Sequence, residues 1–432
     1  MKYKEYPKYK DSGVEWIGQI PEKWEIKKLK FLVDCIDGKR IPLNSSERSK
    51  IPGNYPYFGA NGIVDRINDF IFNEPIIILG EDGAPFNEQF KDVAFFVNEK
   101  CWINNHAHVL VPIKIEPRFF TNALNCVEYL PFVEGSTREK LTQESMNNIP
   151  ICVPSVDEQI EISDFIEKFL EISDNLISKF QQQIILLEEK RQATINQAVT
   201  KGLDPSVPMK DSGVEWIGRI PKHWEVKKLK FVANFDNSTV DRHVYDDEIP
   251  VYISHYPQVY NNEIISLKTK LSKGTCSQKE FENFRLKKDD VLITKDSETA
   301  DDIGVPVYIL DNFSDAVCGY HVAQISTNKN QLFGGFFFRF IQSSNVNSYF
   351  ETEAHGITRY GLGKDSISNL ILTIPPKEEQ EEIYDFLQKQ TTQLDELIAK
   401  SKAQVTLLEE KRQALITAAV TGKIDVRNSV VA

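Results

Sequence analysis

Two short loops carry side chains suited to contact with a nucleic acid: GSTREKL, starting at Gly135, and GITRYGL, starting at Gly356. Behind a glycine that permits a tight turn, the first sets Thr137 and Arg138, and the second sets Thr358, Arg359 and Tyr360. A hydroxyl beside a guanidinium suits phosphate oxygens, and Arg can also hold guanine O6 and N7 with two hydrogen bonds. A capped turn with a surface salt bridge would use the same residues, but their recurrence within one chain favours a functional reading. A third loop, PYFGANG, offers Tyr57 and Asn61. Asn can pair with adenine N6 and N7, although Asn-Gly is also an ordinary turn. Lys295 and Asp296 in ITKDSETADD form a charged turn that either meets a ligand or sits in solvent. His106 and His108 in NHAHVL fall on one face of a strand, and His321 occupies a matching place in CGYHVA. Two histidines on one face suit a metal, but no neighbouring Cys or third His completes a site. Structural or DNA-facing roles fit these histidines better, and His108 and His321 stand as the candidate DNA contacts.

Other chemistry finds little support. The chain has no G-x-x-x-x-G-K-[ST] phosphate loop, no paired C-x-x-C and no G-x-S-x-G elbow. NEPI at Asn73 is not the Asn-Pro-Pro-aromatic tetrad with which amino-methyltransferases grip a base. Glu25 with Lys27 and Glu225 with Lys227 resemble half of a nuclease motif, yet no upstream acid stands at a matching distance. The six cysteines lie far apart, as reduced core thiols do.

The elements that would position these loops come in duplicate. KDSGVEWIGQIPEKWEIKKLKFLV from Lys10 returns as KDSGVEWIGRIPKHWEVKKLKFVA from Lys210, with 18 of 24 positions identical. LLEEKRQA at 186–193 recurs unchanged at 407–414. Between these anchors the matches are faint: IILGEDG from Ile77 against LITKDS from Leu292, and HAHV from His106 against GYHV from Gly319. Each half therefore reads as an entry segment, a divergent globular region, a Gly-x-Thr-Arg loop and a long helix. A frame kept nearly fixed around two divergent centres is the pattern expected of a protein that reads two different things.

Apolar runs such as PIIILG, AFFVN, HVLVPI, DVLIT and VPVYIL predict strands, and PRFFTNALNCVEYL predicts a short helix. After Pro154, Ile162, Ile166, Phe169, Leu176, Phe180, Ile184 and Leu187 advance with helical spacing; a second stripe includes Ile383, Leu387, Leu394, Leu397, Val405, Leu408 and Ile416. Ser155 with Glu158 predicts a capping box, Pro376 a place in the first turn of the second helix, and Gly202 with Pro205 and Pro208 a stop after the first. Neither stripe can be buried alone, so the simplest arrangement is an antiparallel pair.

At 432 residues, with 41% hydrophobic and 26% charged residues, the chain can support two to four globular domains. No apolar run is long enough for a membrane helix and no apolar leader opens the chain, so the cytoplasm is the expected location. The net charge of -12 argues against coating DNA by bulk electrostatics. The entry segments are the exception: residues 1–33 carry eight Lys against five acids, and 205–233 carry six basic residues against three.

Taken together, the duplicated KDSGVEWIG entry, FGANGI, NHAHVL, CGYHVA, GITRYGL and the paired EEQ-to-LLEEKRQA helices resemble the specificity subunit of a Type I restriction-modification enzyme, over nearly the whole length. The resemblance implies an α+β fold: two similar mixed α/β target recognition domains, separated by a pair of long antiparallel helices acting as a coiled-coil spacer, in a pseudo-twofold internal repeat. It places the first recognition domain at 1–153, its helix at 154–202, the linker, second entry segment and second domain at 203–374, the second helix at 375–425 and a tail at 426–432. It implies contact with double-stranded DNA through the loop residues above, and assembly with two methyltransferase subunits and with restriction subunits. Catalysis, S-adenosylmethionine, ATP and Mg would then belong to those partners, leaving this chain without a cofactor of its own.

Overall fold

The computed structural model describes residues 3–88, 90–135 and 138–427; Thr137 lies outside them. The chain packs as two compact units, 1–182 with 401–432 and 183–400. Each unit thus takes a stretch of both long helices, Val156–Lys201 and Lys377–Val420.

In the first unit the main sheet has four antiparallel strands in the order Val33–Cys35, Ala107–Pro112, Ile76–Gly80 and Ala94–Val97. Its central strand, IIILG, is buried throughout because both faces are covered. Ile77 and Leu79 face the helix Pro117–Leu124 and the long helices, whereas Ile76 and Ile78 face a smaller sheet built on Pro52–Gly59. In that smaller sheet Pro52–Gly59 pairs antiparallel with Gly62–Ile67 and parallel with Trp102–Ile103. The predicted short helix starts at Pro117 in its first turn, with the Glu116 carboxylate accepting from the Phe119 amide, and it buries Phe119, Phe120, Ala123 and Leu124.

The second unit repeats this wiring with a different sequence. Its main sheet runs Ala233–Asn237, Val322–Thr327, Asp290–Thr294, Pro306–Ile309 and an added edge strand, Ile264–Ile265. Its smaller sheet is again one strand, Ile249–Ser254, with an antiparallel neighbour at Ser272–Cys276 and a parallel one at Ala316–Cys318. The unit also gains the helices Tyr256–Tyr260, Gln278–Phe284 and Ser344–Glu353.

The repeated residues build the frame. Gln159 and Gln380 are buried at the start of the two long helices. Each donates to a preceding proline carbonyl (Pro154, Pro375) and accepts from the amide of a loop leading into the short core helix (Glu116, Phe333). Of the predicted capping box, Ser155 accepts from the Glu158 amide at 3.4 Å, but the Glu158 carboxylate is drawn off by the Tyr6 hydroxyl at 2.8 Å. Pro376 lies one place before the second helix and its carbonyl accepts from Gln380. At the other helix ends, Gly202 and Gly422 adopt φ of +74° and +71°. A Cβ on Gly422 would meet Pro21 at 2.3 Å and Trp24 at 3.2 Å; one on Gly202 would meet Trp224 at 3.3 Å. The entry segment is needed twice because each copy seats one helix end.

Within each unit the helix stretches run antiparallel. In the first, Arg412 bonds Asp174 at 2.7 Å and Arg427 lies 3.8 Å from Glu158; in the second, Arg191 bonds Asp395 at 2.8 Å and Gly202 approaches Glu379. Arg191 and Arg412 are the same residue of the two LLEEKRQA copies, so the repeat makes the same bond twice.

Candidate nucleic-acid interface

Where the central strand of each main sheet ends, an aspartate meets a histidine from the neighbouring strand. In the first unit Asp82 Oδ2 lies 3.2 Å from His106 Nδ1, and Arg138 Nε bonds Asp82 Oδ1 at 2.7 Å. Arg138 also passes over Gly83, where a Cβ would stand 3.1 Å from its Nε, and its side chain remains 59% exposed. Asn61, at the exposed tip of the hairpin between Pro52–Gly59 and Gly62–Ile67, sets its side-chain amide against the carbonyls of Gly83 and Ala60, and with the amide turned over its nitrogen donates to both. Asn61 and Arg138 therefore join one loop cluster around Asp82, Gly83 and His106.

In the second unit Asp296 Oδ2 lies 2.6 Å from His321 Nδ1. Lys295 Nζ stands 3.9 Å from the same carboxylate and 5.4 Å from the centre of the Tyr320 ring, which is 46% exposed. Tyr360 opens the strand Tyr360–Leu362, which pairs with Asp296–Ser297 and locks the Gly356 loop beside the Asp–His pair. Thr358 and Arg359 project from that loop into solvent. Lys295, His321, Thr358, Arg359 and Tyr360 thus come together.

Two expected contacts belong to the interior instead. Tyr57 is 1% exposed; its hydroxyl bonds both the amide and the carbonyl of Leu43, and the Arg48 guanidinium covers its ring at 5.0 Å. His108, also 1% exposed, points inward. Its Nδ1 faces Asp37 Oδ2 at 2.6 Å and its Nε2 faces the Leu141 carbonyl at 2.8 Å. Both nitrogens face acceptors, so both carry protons and the ring is an imidazolium. Burial alone would lower its pKa, but the hydrogen bond and charge of Asp37 hold it up at about 9. Burial works against the Asp37 charge too, yet His108 and the Val109 amide keep its carboxyl below the usual range. Cys35, Asp37 and His108 bring ligand atoms within 4.8 Å of one another. With both ring nitrogens donating, this is an ion pair rather than a ligand set. Next to it Arg40 bonds Glu81 at 2.6 Å and the Ala107 carbonyl at 2.7 Å, and Lys140 reaches Glu81 at 3.3 Å. This network, buried at His108 and partly buried around it, braces the loops that carry Asp82, His106 and Arg138.

The structure also corrects the alignment of the histidines. Gly80 pairs with Ala107 and Thr294 with Val322, so His321 corresponds to His106, not to His108. Asp82 was the residue that sequence reasoning passed over, and of the two histidines in NHAHVL it carried His108 rather than His106 to the site; the faint match of IILGEDG to LITKDS, moved by one residue into the register of the strands, sets Asp82 against Asp296. In the register of the strands Glu81 aligns with Lys295, so the position beside the shared pair reverses its charge between units.

The profile of the family described as Type I restriction modification DNA specificity domain matches residues 21–186 and 221–407. The chain belongs to that family. It is a DNA-recognition component of a Type I restriction-modification system. The chain is 23% identical to the Type I restriction enzyme MjaVIII specificity subunit of Methanocaldococcus jannaschii, over 95% of each chain. It is 33% identical to a putative Type I specificity subunit of Haemophilus influenzae over 152 residues, which span 35% of this chain and only 36% of that relative. A solved chain from a study of Type I restriction-modification complex assembly and conformational transition superposes with a TM-score of 0.67 at 13% identity, covering 94% of this chain and 99% of the other. That likeness supports the shared fold. No helix among the described residues is long and apolar enough to cross a membrane.

Proposed function

We propose that each unit reads one half of a split, asymmetric double-stranded DNA target, and that the long helices set the gap between halves and dock two methyltransferase subunits, with restriction subunits joining that assembly in the cytoplasm. The observation that carries this reading is the pair of loop sites. Both stand at the same end of the same strand order, both hold an Asp–His pair, with Arg138 beside it in the first and the Gly356 loop beside it in the second, and they differ in charge at Glu81 and Lys295. Equal frames with unequal side chains suit unequal base sequences, which side chains on a fixed support distinguish through base edges in the major groove.

The chain contributes recognition and no catalysis of its own. S-adenosylmethionine, ATP and Mg act on the partner subunits. Apolar side chains left exposed on the long helices, Ile172 and Leu176 in the first unit and Ile185 and Leu186 in the second, offer the partners a surface. The acidic surplus makes the isolated chain a weak DNA binder that tightens on assembly. Co-expression with the cognate methyltransferase subunit, followed by long-read mapping of methylated positions genome-wide, tests the reading. A split, asymmetric motif is expected; a continuous motif, or methylation independent of this chain, overturns it.

A further inference from the structure

We propose that Ile357 is a specificity-determining contact of the second unit, packing its side chain on the C5-methyl group of a thymine in the major groove. Ile357 is 96% exposed, and no other large apolar side chain among the described residues exceeds 69%. Such exposure gives the fold nothing, because the hydrophobic contribution scales with apolar area removed from water. The side chain is nevertheless presented by a firmly built loop. Gly356 adopts φ of +156°, and a Cβ there would fall 1.9 Å from the Arg359 carbonyl oxygen, so the turn closes backbone against backbone. The strand that follows is held on both sides, by Asp296–Ser297 and by Ala354–His355.

The surroundings select the ligand chemistry. Thr358 and Arg359 stand exposed next to Ile357, and Lys295 with the Asp296–His321 pair lies at the loop's base. Hydroxyl and cationic groups suit phosphates and base-edge acceptors, and the one apolar group that a base pair presents in the major groove is the thymine methyl. A branched aliphatic residue among polar donors matches that group. The first unit's loop has Ser136 at this place in the sequence, so the contact distinguishes the two readers.

This inference rests on the DNA-reading role proposed above, and its test separates the two. If methylation mapping of the wild-type complex gives no split motif, the functional reading fails whatever Ile357 does. Given the motif, target duplexes in which each thymine is replaced in turn by deoxyuridine are titrated against the chain assembled with its methyltransferase subunits. Removing one methyl, at one position in one half-site, is expected to weaken wild-type binding about fourfold. Ile357→Ala should weaken binding to the thymine duplex by a similar factor and make the complex indifferent to that same deoxyuridine. The proposal is overturned if the wild type ignores every deoxyuridine or if the motif offers no thymine in the half-site of the second unit. It is equally overturned if Ile357→Ala binds the thymine duplex unchanged, or if it loses affinity equally for both duplexes, as a wedge between base steps would.

Discussion

At the end of the first unit's central strand stands Glu81, clamped between Arg40 and Lys140; at the same place in the second stands Lys295, poised over the Tyr320 ring. Behind Glu81 lies the buried Asp37–His108 pair, whereas the second unit has Ala323 where the first has His108. The second unit keeps its own buried charge elsewhere: fully buried Arg339 bonds Glu263, Gln342, Gln388 and Thr391, and Glu263 also pairs with Arg191. The shared frame is therefore apolar packing plus a few repeated hydrogen bonds, and each unit adds a polar network of its own, beside the reading loops in the first and between the short core helix and the long helices in the second. A unit can change what it reads without disturbing the seats of the helices.

The sharpest way to break this separation is to remove a buried charge from one unit. Arg339→Ala removes a fully buried side chain bonded to Glu263, Gln342, Gln388 and Thr391, and the lost bonds with the cavity left behind are expected to destabilise the second unit by about 3–5 kcal/mol. Hydrogen exchange resolved by segment should show faster exchange across 263–391 and little change across 33–112. Uniform loosening of both units would mean that the networks are not independent.

A pH series separates the units by another route. The folded pKa of His108, about 9, lies above the ordinary histidine value of 6.5. A raised pKa stabilises fully below the unfolded value and is lost as pH rises through the folded one. The first unit should therefore lose on the order of 3 kcal/mol between about pH 6.5 and pH 9.5. His108→Gln should flatten that dependence in pH-dependent melting, and a wild-type first unit whose stability holds steady to pH 10 would contradict the imidazolium assignment.

Smaller effects are expected at the loops. Arg138→Ala should cost about 1–3 kcal/mol of binding and relax the first half-site only, and Lys295→Ala with Arg359→Ala should do the same for the second. Binding by the assembled complex to randomised half-sites checks this. The smallest effect belongs to the entry strands. Glu25 pairs with Lys27 at 2.8 Å and Glu225 with Lys227 at 2.6 Å, in the open. Glu25→Gln and Glu225→Gln should leave melting and DNA modification unchanged, whereas a nuclease role would make them lethal to activity.

What the sequence disclosed follows from the range of the forces involved. The strands at 76–80, 94–97, 107–112, 290–294 and 306–309 were legible because sheets covered on both faces demand unbroken apolar runs. The helix stop at Gly202 was legible because left-handed backbone favours glycine. Tyr57 was misread because an aromatic beside loop glycines looks exposed until Leu43 and Arg48, distant in sequence, close over it. His108 was misread because a strand repeats every two residues: a slip from 106 to 108 keeps the face but exchanges a half-exposed loop end for a buried acid. Likewise the middle of the first helical stripe is open, with Leu176 40% exposed, because spacing fixes a face but not what covers it.

The most direct test of two independent readers on one frame is an exchange of residues 34–150 for the corresponding segment of another family member, followed by methylome mapping in cells that supply the methyltransferase subunit. One half of the recognised motif should change while the other half stays as it was. A change in both halves, or in neither, would contradict the account.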